Sequence, residues 1–185
     1  MDSLKPPCER FKDNTICLAE LCRTIVADAY KQGLTTIMPG YITIGMDLIE
    51  KTHSKNNREL INTFIINSHP HWDKILTHNE DFFDKHSESI FNSWEKEHRA
   101  MFRDLVFLKK PDGSLFITPK QKEQTWILFE SLVKISLHHI HETRQGKKTS
   151  DGKIIYQHPE IFPEIKQDML TLTKTWKIYD RLRFN

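Results

Sequence analysis

Between Asn79 and Pro111 the chain carries neither glycine nor proline, and Phe83, Ile90, Trp94, Met101, Leu105 and Leu108 recur through that stretch at spacings of three, four and seven. At about 100° per residue, Phe83, Ile90, Met101 and Leu105 all fall within roughly 40° of Trp94. A stripe this narrow is one face of an α-helix, and it has to bury against other helices. The chain is therefore read as all-α: a single-domain bundle of about five to seven helices around a long central helix, spanning 1–185.

The rest of the sequence fits that frame. Residues 1–7 are irregular, with Pro6 and Pro7 as breakers, and from Cys8 the residues Phe11, Leu18, Leu21, Cys22, Ile25, Val26 and Ala29 describe an amphipathic helix ending near Gly33. The run Tyr41-Ile42-Thr43-Ile44 favours a strand by propensity. With no partner strand nearby, a turn after Pro39-Gly40 leading into a helix through Met46, Leu48 and Ile49 is the better reading. Asn57 is the expected N-cap of a helix carrying Leu60, Ile61, Phe64 and Ile65. Ser68-His69-Pro70 stops it, and Pro70 opens a short helix with Trp72, Ile75 and Leu76 that breaks around residues 78–81.

Lys110-Pro111-Asp112-Gly113 is a turn signal, and Thr118-Pro119-Lys120-Gln121 reads as a capping box that starts a helix. From Trp126 to Ile140 apolar residues surround nearly the whole cylinder, which places that helix at the centre of the domain. Residues 143–159 are polar and glycine-containing and read as a mobile loop. One short β-hairpin is expected, near Pro111–Gly113 or near Ser150–Gly152. A last helix carries Ile165, Met169, Leu172, Trp176 and Tyr179.

Five of the ten histidines lie between Ser68 and Leu108. His71 and His78 are seven apart and within about 20° of each other on an ideal helix. Beside Asp73, Glu80, Asp81 and Asp84 they form the best acid/base grouping in the chain, although acids at a helix start are also stabilised by its positive end. Glu95 and His98 make a Glu-x-x-His pair of the kind that supplies two ligands in helical di-metal proteins, but no second such pair exists here. His138 and Glu142 are four apart on a later helix and share a face. The metal candidates are thus His71, His78, Glu95, His98, His138 and Glu142.

The strings Ser68-His69-Pro70-His71 and Leu137-His138-His139 resemble short stretches of protoglobin-like haem domains. Such a domain needs a pair of closing helices after its proximal histidine, and only one follows His139. The resemblance covers a handful of residues, and a haem is carried only as an alternative.

A formal charge of +2 does not single out a polyanion as partner. The local basic group Arg144, Lys147, Lys148 and Lys153 is the candidate nucleic-acid contact, although no nucleic-acid-binding module is recognisable. Cys8, Cys17 and Cys22 are odd in number and form no Cys-x-x-Cys, which points to a reducing compartment. The N-terminus lacks the apolar core of a signal peptide, and no stretch approaches the roughly 18–20 apolar residues of a membrane span. The expectation is a soluble intracellular protein. The frequent Ile, Lys and Asn suit an AT-rich genome such as that of a large DNA virus of protists, in which case the virion is the alternative location.

No phosphate loop, Gly-x-Gly-x-x-Gly, Gly-x-Ser-x-Gly or His-Glu-x-x-His occurs. With four Trp and eleven Phe on long helices and no coherent catalytic set, the leading expectation is a non-enzymatic interaction or structural protein, a component of a macromolecular assembly. Its partner-binding face would use Phe107, Trp126, Phe129 and Trp176, for a protein partner or for self-association. The competing classes are a helical metal- or haem-binding protein and a nucleic-acid-binding accessory protein.

Overall fold

Prolines set where three of the helices begin. In the computed structural model, which describes residues 5–90 and 108–144 together with 147–148, 150 and 154–155, Pro7, Pro39 and Pro119 each occupy the first helical position. There the missing N–H costs nothing and the fixed φ is already helical. The elements are α1 (Pro7–Lys31), α2 (Pro39–Lys55), α3 (Glu59–Ser68), a 3-10 turn (His69–His71), α4 (Trp72–Leu76), α5 (Glu80–Ile90) and α6 (Pro119–Arg144). The fold is all-α, with six α-helices among the described residues, and none of them is long and apolar enough to cross a membrane.

Each boundary has a local cause. α1 stops at Gly33, whose φ of 68° is a left-handed conformation that a side chain would strain, and the Leu34 N–H turns back to the Ala29 carbonyl at 3.0 Å. α2 takes in the whole Tyr41–Ile44 run, starting well before Met46. No neighbouring strand is there to reward the β propensity, whereas helix formation buries Ile42 against α1. The N-cap of α3 is Arg58, one residue later than expected and without a side-chain cap; the Oδ1 of Asn56 accepts the Arg58 N–H at 3.2 Å in the turn before it. Thr118 and Gln121 make the capping box in full, with both donors of Thr118 on Gln121 Oε1 at 2.9 Å and the Gln121 N–H returning to Thr118 Oγ1 at 3.2 Å.

The region 68–108 departs from a simple helix at both ends. The 3-10 turn, α4 and α5 are separate pieces, broken at His78, where φ is +50°. Asn79 Oδ1 then caps α5 by accepting the Phe82 N–H at 3.0 Å. His71 and His78 therefore do not share one helix face, because the break rotates one against the other. At the far end Leu108 is not helical. Its carbonyl accepts the Phe116 N–H at 2.7 Å, beside a bridge between Lys109 and Leu115 and a turn in which Gly113 has a φ of 82°. Trp94, Met101 and Leu105 lie outside the described residues.

The hairpin near Pro111–Gly113 is thus present, and so is the second. β1 (Lys147–Lys148) pairs antiparallel with β2 (Ile154–Ile155), in the register Lys147 to Ile155. Within 143–159, expected as a mobile loop, α6 continues to Arg144 and the β-branched pair Ile154-Ile155 supplies a strand. The last expected helix, with Ile165 to Tyr179, lies outside the described residues.

α6 is the spine, as its all-round apolar pattern implies. It runs antiparallel to α1, fixed by a hydrogen bond from Asn14 Nδ2 to Ser131 Oγ at 3.0 Å. The main core gathers Phe11 of α1, Ile61 and Ile65 of α3, Trp72 of α4, and Val133 and Leu137 of α6. A smaller core of Ile25, Val26, Ile42 and Ile117 closes the other end. Each fully buried side chain of this size contributes about 1.5–3 kcal/mol.

Candidate functional site

Of the expected partner-binding residues, Trp126 and Phe129 are half-buried among other rings. Trp126 is half-buried, its ring stacked on His78 at 5.0 Å and 12° and tilted against Phe83 at 5.6 Å, with Phe129 at 6.5 Å. His78 Nε2 also bonds Glu130, and Glu130 receives Lys134 at 3.1 Å. Trp126 and Phe129 therefore seat the corner between α4 and α5 on α6 and are not an open patch. Phe107 and Trp176 lie outside the described residues.

The apolar surface that does face outward belongs to α2. Tyr41, Ile44 and Leu48 are 56%, 64% and 64% exposed, and their spacing of three and four puts them on one side of the helix. Met38, 49% exposed, continues the stripe at the N-terminal end, while Ile42 on the opposite side is buried. α2 is apolar on two faces and only one is used in the core. The signal was in the sequence, in an apolar run too dense for a single face, but that run read as a turn leading into the helix.

The metal candidates do not converge. His71 is half-buried in the 3-10 turn, its ring 5.3 Å from Phe82, and burial holds its pKa below the ordinary 6.5, helped by the charges of His69 and His86 and opposed by Asp73. His78 is engaged by Glu130. His138 is half-buried on α6, Glu142 is in the last turn of that helix, and Glu95 and His98 lie outside the described residues. Among the described residues no three His, Cys, Asp or Glu side chains gather as a metal would require. Of the basic group, Arg144 ends α6, Lys147 and Lys148 form β1, and Lys153 lies outside the described residues.

Two polar contacts between helices went unread, because their members are far apart in the chain. His53, buried near the end of α2, places Nε2 2.9 Å from Glu9 Oε1 of α1. His139, buried on α6, places Nδ1 4.0 Å from Cys8 Sγ of α1 and Nε2 3.2 Å from Asn62 Oδ1 of α3.

The first contact makes stability depend on pH. The hydrogen bond from His53 holds the Glu9 carboxyl below its ordinary 4.5, and that from Lys5 does the same for Asp13. A carboxylate lowered in the fold contributes stability that is whole above its unfolded pKa and is lost as pH falls through the folded one. His71, lowered by burial, adds an earlier loss: its contribution is whole above 6.5 and declines below it. The melting temperature should fall in two stages, a first below about pH 6.5 and a second below about pH 4.5. Glu9→Gln should blunt the second alone. Calorimetry along a pH series checks this, and a flat profile from neutrality to about pH 4 would contradict it.

Comparison with protein families, with curated proteins and with solved structures gives no match in any of the three.

Proposed function

We propose that this chain is a non-enzymatic helical interaction protein, a component of a macromolecular assembly, and that it meets a second copy of itself through the outer face of α2. The observation that carries this reading is the stripe Tyr41, Ile44 and Leu48, three large apolar side chains more than half exposed on consecutive turns. Apolar groups clustered this way mark interaction surfaces more often than scattered ones do, and an aromatic flanked by aliphatics is the usual anchor.

A second copy suits the face. The charges on the side of α2 that carries the stripe are Asp47, Lys51 and Lys55, whereas Glu50 faces α1, 3.6 Å from Lys12. A two-fold arrangement lets one stripe cover its own equivalent, giving a closed dimer with no part of the stripe left over.

The test is the oligomeric state. Sedimentation should find a dimer with a dissociation constant on the order of micromolar. Ile44→Glu and Leu48→Glu should each give monomers of unchanged helicity by circular dichroism, since neither residue is in the core. A wild-type protein that stays monomeric at about a hundred times that concentration, or charged variants that still dimerise, would remove the reading.

A further inference from the structure

Tyr41, Ile44, Leu48 and Lys51 span only about 80° of an ideal helix, so the outer stripe of α2 opens on a tyrosine and runs into an exposed lysine. Lys55, also exposed, follows one turn later on the same side. Two copies of such a face can be laid together in either direction, and its own residues decide between them. A parallel two-fold pairing sets every residue beside its own equivalent. Lys51 then meets Lys51 and Lys55 meets Lys55, like charges brought together in a contact that has to exclude water.

An antiparallel pairing removes that conflict. Turned about a two-fold axis at the level of residue 46, Tyr41 of one copy lies opposite Lys51 of the other and Ile44 lies opposite Leu48, because both pairs share that midpoint. The four aliphatic side chains interleave at the centre. At each end a lysine stem lies along the apolar seam with its ammonium over the face of a tyrosine ring, and the two helix dipoles oppose each other.

Gly45 stands at the same centre. It is inside α2, where glycine weakens a helix relative to alanine, and a Cβ built on it meets nothing within 4 Å in its own copy. Packing within one copy therefore gives no reason for a residue without a side chain there. Across the axis the two Gly45 positions are offset by only about 3 Å along the helices, where missing side chains let the backbones come close.

We propose that two copies of this chain pack α2 against α2 antiparallel, with Lys51 of each over Tyr41 of the other, Ile44 against Leu48, and Gly45 setting the close approach. This rests on the reading of α2 as the dimer face and adds its direction and register.

Tyr41 and Lys51 are about 15 Å apart along one helix, out of contact within a copy, so coupling between them has to cross the interface. Dissociation constants of the full chain, measured by sedimentation, should rise about five- to thirtyfold for Tyr41→Leu and for Lys51→Gln, and little further for the double variant. All the substituted side chains are outside the core, so helicity should be unchanged. Gly45→Ala should weaken the dimer about tenfold or more, while the melting temperature of the dilute monomer does not fall. A nitroxide on Lys55→Cys, with the exposed Cys17 and half-buried Cys22 replaced by serine, reads the direction: the label separation should be about 25–30 Å, against less than about 15 Å for a parallel pair. A chain that never dimerises removes the reading of the α2 face itself. A dimer with the short separation, with additive effects of Tyr41 and Lys51, or with full tolerance of Gly45→Ala overturns the antiparallel register and leaves that reading standing.

Discussion

Trp72→Ala will lower the stability of this protein by about 3–5 kcal/mol, a large share of what a domain of this size possesses. The ring is wholly buried and lies stacked on Phe64 at 6.3 Å and 23°, with Phe64 in turn against Phe11 at 5.2 Å. It therefore joins α4 to α3 and α3 to α1. Its N–H is satisfied as well: Trp72 Nε1 donates to Ser68 Oγ at 2.8 Å, and that hydroxyl donates to the Phe64 carbonyl at 2.6 Å. Alanine removes the ring contacts and leaves a cavity between three helices that cannot collapse independently. At about 2–4 °C per kcal/mol, the melting temperature should drop by roughly 6–20 °C. Trp72→Phe keeps most of the volume, and the Ser68 hydroxyl keeps its acceptor, so the loss should be about half as large or less. Thermal unfolding followed by circular dichroism reads both. A loss under about 1 kcal/mol for the alanine variant would mean that α4 is not part of the main core.

The same residue illustrates what was legible in the sequence. The start of α6 could be read because its cause is local: Pro119 acts through its own ring, and Thr118 and Gln121 bond across a single turn, whereas Pro7 read as a breaker and Pro39 as part of a turn although each opens a helix. The termination at Gly33 is local in the same sense. The fate of Tyr41–Ile44 was harder to read, because whether a β-branched run becomes strand or helix depends on what lies beside it. The break at His78 was foreseen, but its effect on the His71–His78 pairing was not, since a wheel assumes one unbroken helix and the +50° φ at His78 ends it. Contacts such as Cys8 with His139, 131 positions apart, and His139 with Asn62, 77 apart, have no sequence spacing to betray them. A retrospective clue exists: His139 sits inside the apolar run of α6, where a polar side chain must find partners or leave the core.

Leu137 and Ile127 show why the all-round apolar pattern of α6 located the helix without locating its contacts. Both belong to the run from Trp126 to Ile140, and on an ideal helix they are only about 80° apart. Yet Leu137 is wholly buried and Ile127 is 55% exposed. The difference comes from how far the neighbours reach: α1 and α3 enclose the C-terminal half of α6, while Ile127, near its start, points past them. Leu137→Ala should therefore cost about 2–5 kcal/mol, by lost transfer energy and by the void left among rigid neighbours. Ile127→Ala should stay within about 0.5 kcal/mol, because that side chain is already largely in water. Urea midpoints with unchanged slopes measure both. If the two substitutions cost the same, the outer side of α6 is covered in solution, and Ile127 would join Tyr41, Ile44 and Leu48 as surface that the assembled protein hides.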